Sequence, residues 1–133
     1  QVKLPLFKYT GSAGEKMVRV SEEGQSAHTL FRVLETFGGA PLHGVGLSAL
    51  SLVEATLRTG RTHQIRVHMQ SQNCPIAGDE RYGDYTANRR LKKLGLKRMF
   101  LHAHRLELEH PASGEMLVLT APLPEELRQM LEG

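Results

Sequence analysis

Tryptophan is absent from the 133-residue chain, cysteine occurs once and aspartate twice. The seven Phe and Tyr residues form no aromatic-rich sheet motif of the kind that stacks unpaired bases. Any RNA contact is therefore expected to rest on arginine, lysine and shape. Cys74 has no partner for an internal disulfide, which fits a reducing compartment, and a single thiol reads as a small core residue rather than a nucleophile. No apolar run reaches the ~18 residues of a membrane span, and no basic-then-apolar amino terminus reads as a signal peptide. The expectation is a soluble, cytoplasmic protein without a membrane partner. Of the 14 carboxylates only Asp79 and Asp84 are aspartates, and both lie in one six-residue stretch.

The length suits one compact domain, 1–133, rather than two. Apolar residues together with the 13 glycines make about half the chain, which excludes disorder. Seventeen Lys and Arg give a net charge of +3, which favours a polyanionic partner without demanding one.

Residues 1–27 read as a loop- or hairpin-rich lead-in with a strand at Lys16–Val20. From His28 to Glu35 the residues alternate, with Thr29, Phe31 and Val33 against Leu30, Arg32 and Leu34, which predicts a strand. A long Gly- and Pro-containing connection, Gly38 to Gly46, leads to a second strand at Leu47–Leu57. Ile65 and Met69 then lie four apart and Thr62 can cap, predicting a helix from Thr62 to about Gln72. Asn73, Pro75 and Gly78 end it. A second helix, about Tyr85–Leu94, places Ala87, Leu91 and Leu94 on one face and is closed by Gly95. A strand at Met99–Glu109, a turn at Pro111–Gly114, a strand at Glu115–Thr120 and a terminal helix near Pro124 complete the chain. Strands and helices mix without regular alternation. The expected class is α+β, a mixed, mainly antiparallel sheet with flanking helices.

The densest polar stretch, Thr59 to His68, sits where a strand passes into a helix. Free backbone N–H groups beside Arg61 make an anion site possible there, and a capped helix with solvated Arg61 and His63 explains the same residues. The glycine spacing and Lys-Ser/Thr pair of a P-loop are missing. Arg66, between Ile65 and Val67, sits near a core and requires a carboxylate partner, either a structural Glu or a functional carboxylate whose ionised form it stabilises. His63 and His68 are turned about 140° apart on a helix and would not chelate a metal together. His102 and His104 share a strand face but lack a third ligand, so a metal-dependent hydrolase ranks last and no metal is expected. Arg89, Arg90, Lys92, Lys93, Lys97 and Arg98 place six basic residues in ten without an acid. That run is either a solvated helix face or an RNA-backbone contact.

The stretch Thr-Gly-Arg-Thr-His-Gln-Ile-Arg-Val-His from Thr59, followed by Cys-Pro-Ile-Ala-Gly-Asp-Glu-Arg-Tyr-Gly from Cys74, closely resembles the third signature of the RluA/RluC-type pseudouridine synthases. Those enzymes modify large-subunit ribosomal RNA and some transfer RNA. Further matches lie at Leu101-His102-Ala103, at His110-Pro111 with Gly114-Glu115, and at Ala121-Pro122-Leu123-Pro124, so the resemblance covers residues 28–133. It implies an RNA-binding isomerase for rRNA processing that needs no cofactor and detaches uracil from ribose, rotates it and reattaches it through carbon. It also implies one catalytic aspartate, ion-paired to Arg66. By the same resemblance Arg61, Thr62 and His63 form the polar edge of the active-site cleft and Leu101 lies in its apolar wall.

The family's Arg-Leu-Asp motif and its base-packing tyrosine, both upstream of the third signature, do not occur here. Asp79 and Asp84 match turn-shaping positions. The chain thus resembles the C-terminal half of a catalytic domain whose N-terminal half is the missing partner, and alone it is expected to be inactive. A split sheet would expose an apolar face and an unpaired edge. The alternative is a non-catalytic RNA-binding module of the same fold.

Overall fold

The computed structural model describes residues 1–38, 44, 49–96, 98–101, 105–109 and 116–120. Strands β1 (Leu6–Thr10) and β2 (Lys16–Val20) form an antiparallel hairpin with Leu6 opposite Val20 and Thr10 opposite Lys16. Strands β3 (Thr29–Gly38) and β4 (Ala49–Leu57) form a second, and β5 (Arg105–Glu109) with β6 (Met116–Thr120) a third. Helices α1 (Gln64–Ser71) and α2 (Tyr85–Lys92) lie between the second and third hairpins in the chain. The α+β class stands, with every described strand pair antiparallel.

Among the described residues two apolar clusters pack the first two hairpins against the helices. Leu6, Val18, Ala27, Val67 and Tyr82 pack the first hairpin against α1, with Met17 alongside. Leu91 and Leu96 collect Leu50, Ala77, Leu94 and Phe100 around the end of α2. That helix starts on Asp84, whose carboxylate accepts from Ala87 N at 3.0 Å. Its C-cap is Lys93, and beyond it Gly95, at φ 101°, turns the chain so that Leu96 N reaches Leu91 O at 3.2 Å.

Four expectations change. The N-cap of α1 is His63, at φ 52°, and no side chain caps it, so Thr62 does not serve as the cap. The buried face of α1 is Gln64, Val67 and His68 rather than the face marked by Ile65 and Met69, because polar residues here bond inward. Cys74 is exposed, on the turn after α1, not a core residue. Of the strand expected over Met99–Glu109, the described residues 99–101 are not strand, since Phe100 N bonds Ala77 O at 2.8 Å and Leu101 N turns back to Met99 O, while Arg105–Glu109 are. Most of the Gly38–Gly46 connection, Lys97, His102, His104, the Pro111–Gly114 turn and the terminal helix lie outside the described residues.

Candidate functional site around Arg66

Arg66 projects from α1 toward the turn that precedes α2. Its Nε donates to Asp79 Oδ2 at 2.9 Å and its Nη2 to Oδ1 at 2.7 Å, a two-pronged bond between side chains 16% and 0% exposed. Asp79 Oδ1 also accepts from Arg81 N at 3.0 Å and Tyr82 N at 3.1 Å. Burial pushes the Asp79 pKa up, but the Arg66 bond and the two backbone N–H groups outweigh it and leave the carboxyl below its ordinary value. The bond to Asp79 in turn raises Arg66. The carboxylate that Arg66 requires is thus Asp79 within this chain, a structural aspartate in place of the expected structural Glu. Among the described residues the Nη1 of Arg66 has no hydrogen-bond partner.

The Arg66 guanidinium lies 5.0 Å from the centroid of the Tyr82 ring. The Tyr82 hydroxyl accepts from Val18 N at 2.9 Å and shares a hydrogen with His63 Nδ1 at 2.7 Å. Burial, then the charges of Arg66 and Arg81, lower the His63 pKa.

Gln64 organises the strand-to-helix junction. Its Oε1 accepts from Thr59 Oγ1 at 2.7 Å and Arg61 N at 3.0 Å, and its Nε2 donates to His28 O at 3.0 Å and Thr29 Oγ1 at 2.9 Å. The Thr29 hydroxyl passes the chain to His68 Nδ1 at 2.8 Å, and His68 Nε2 donates to Leu4 O at 2.9 Å. Four polar side chains are satisfied by one another and by backbone, as buried polar groups must be. Gln64 and Tyr82 were missed as site builders. The signal available was Gln64, Val67 and His68 at helical spacing, a polar-containing face.

Arg61 and Thr62 line a cleft of about 340 Å³ with Gly60, Gln25, Lys8 and Val18, between the first hairpin and the junction. Arg61 is held there by its Nε bond to Ser26 O at 2.9 Å. His63 stands in the Arg66 cluster instead. Leu101 is half-buried beside Arg98, whose Nη2 donates to Leu101 O at 3.2 Å.

The basic run divides. Arg89, Lys92 and Arg98 line a second cleft, of about 270 Å³, while Arg90 is half-buried and Lys93 caps the helix. Among the described residues no three His, Cys, Asp or Glu are placed to hold a metal ion. No described helix is long and apolar enough to cross a membrane.

A family model described as RNA pseudouridylate synthase matches residues 3–71, more than half of the chain, and the chain belongs to that family. The match includes the first hairpin, ahead of residue 28 where the signature resemblance starts. Ribosomal large subunit pseudouridine synthase C of Haemophilus ducreyi is 43% identical over 98% of this chain and 38% of its own length. That of Pasteurella multocida is 45% identical over 98% and 37%, and that of Escherichia coli 43% over 98% and 39%. The chain therefore spans about two-fifths of the length of these relatives. Human RNA Pseudouridylate Synthase Domain Containing 4 superposes with a TM-score of 0.64 at 32% identity, over 98% of this chain and 54% of that one. Human RNA Pseudouridylate Synthase Domain Containing 1, at 23% identity, shares the fold, with a TM-score of 0.67 over 90% of this chain and 46% of that one.

Proposed function

We propose that the full protein is an RNA pseudouridine synthase and that this chain supplies its supporting arginine, cleft edge and basic RNA surface, but not its nucleophilic aspartate. The carrying observation is the Arg66 fork. Asp79 fixes two of its nitrogens in a buried pair and Nη1 is left for a second carboxylate. A guanidinium anchored in this way is preorganised to hold an incoming aspartate ionised and oriented. Neither aspartate of the chain suits the role of nucleophile. Asp79 is spent on Arg66 and two backbone N–H groups, and Asp84 caps α2. Large-subunit ribosomal RNA is the favoured substrate over transfer RNA, because the relatives named above act on the ribosomal large subunit. The reaction exchanges the uracil–ribose C–N bond for a C–C bond without net oxidation or reduction, so it calls for no cofactor.

The test is pseudouridine formation on ribosomal RNA by the full-length protein. Arg66→Lys keeps a charge opposite Asp79 but loses the fork. It should lower kcat on the order of 100-fold with KM little changed, as misorientation of a reacting group does. Unchanged turnover would remove the role. RNA binding with a steep salt dependence and no isomerisation by the wild type is the outcome expected of a non-catalytic module.

A further inference from the structure

Tyr85 is the most exposed large hydrophobic side chain among the described residues, 76% accessible, and it is not idle apolar surface. As the first residue of α2 it stands one turn before Arg89, whose guanidinium lies 5.7 Å from the ring centroid. Tyr85, Arg89 and Lys92 follow helical spacing of four and three, so they form one stripe down one face. That stripe and Arg98 line the second cleft, across from the Gly78–Glu80 turn. Arg98 is held over it by Nε and Nη2 bonds to Met99 O and Leu101 O.

The remaining polar groups of the cleft are already committed. Asn88 accepts from Gly78 N at 2.9 Å and donates to Asp79 O at 2.9 Å, and Asp79 is neutralised by Arg66. Glu80 alone adds an acid against Arg89, Lys92 and Arg98, so the cleft is net positive. Gly78, at φ 82°, packs its backbone directly on Arg98 O, which fixes the floor. An anion is drawn to one end, and a flat π-face with an arginine beside it stands at the other.

We infer that this cleft is a subsite for an unpaired nucleotide of the RNA substrate, its base stacked on Tyr85 and its phosphate held by Arg89, Lys92 and Arg98. The inference rests on the RNA-synthase reading for the identity of the polymer, and adds a contact that reads strandedness. Apart from its two end pairs, duplex RNA offers phosphates but no exposed base face, whereas an unpaired base can stack on an aromatic ring.

Anisotropy of a labelled oligouridylate and of a blunt RNA duplex, titrated with the full-length protein at several salt concentrations, tests it. Tyr85→Ala should weaken oligouridylate binding ~10-fold with an unchanged salt slope, since no phosphate contact is lost. Tyr85→Phe should bind as the wild type does. Lys92→Ala should flatten the slope by about one counterion. Duplex binding should not respond to Tyr85→Ala. Equal affinity of wild type and Tyr85→Ala, a Tyr85→Phe loss as large as that of alanine, or an equal loss on duplex would overturn the proposal. If the tyrosine effect holds while the wild type makes no pseudouridine, the synthase reading fails and the subsite stands. A wild type that binds neither RNA overturns both.

Discussion

Asp79 holds Arg66 with both oxygens and two backbone N–H groups with one of them, its own side chain fully buried. Replacing it with asparagine keeps an acceptor for Arg81 N and Tyr82 N but leaves Arg66 half-buried and unpaired, a loss of about 3 kcal/mol. Its pKa lies below the ordinary 3.8, so the unfolded chain protonates first as the pH falls. The stabilisation is complete above 3.8 and is lost as the pH drops through the lower folded value. His63 acts at a higher window. Its pKa is depressed from 6.5, so its contribution is complete above 6.5 and declines as the pH falls below it. Denaturant unfolding against pH should show the gap between wild type and Asp79→Asn constant above 3.8 and closing below. A gap that stays open there would contradict the assignment. The need of Arg66 for a carboxylate was legible from its apolar neighbours. Which carboxylate answered was not, because the turn that returns Asp79 to α1 is set by tertiary bonds of Tyr82 and Asn88.

The paired strands are local hairpins, and this explains both what the sequence revealed and what it hid. Alternation located β3, while the bulge between Val33 and Glu35 could not be read from it, since one extra residue preserves composition and shifts only the facing. With the shift, Val33 and Leu34 are both exposed, at 62% and 47%, and Leu57 at the far end of β4 at 49%. The cap of α1 differs from expectation because His63 takes a left-handed conformation and Gln64 N bonds back to Arg61 O, so the first helical turn starts after Thr62. Apolar side chains on a two-stranded element mark a face that a larger sheet would cover. The 133-residue chain expressed alone should therefore bind a hydrophobic dye and associate. A sharp cooperative unfolding transition with no dye binding would show that these strands need no cover.

At the scale of the molecule, the described strands form three two-stranded sheets, each a pairing of chain neighbours, and two small apolar clusters pack the first two hairpins against the helices. The α+β class and the signature from Thr59 were legible because both depend on local pattern. Tyr85 was not, because seven scattered aromatics suggest no stacking motif until α2 brings one beside Arg89, Lys92 and Arg98. The chain covers 37% to 39% of its bacterial relatives, and its two aspartates are both committed to structure. The central claim is a division of labour, with the arginine and RNA surface here and the nucleophile elsewhere in the full protein. Release of tritium from C5-labelled uridine in ribosomal RNA measures it most directly. The full-length protein should release tritium and the 133-residue chain alone should release none. Release by the chain alone would contradict the account, because an aspartate within it would then carry the chemistry.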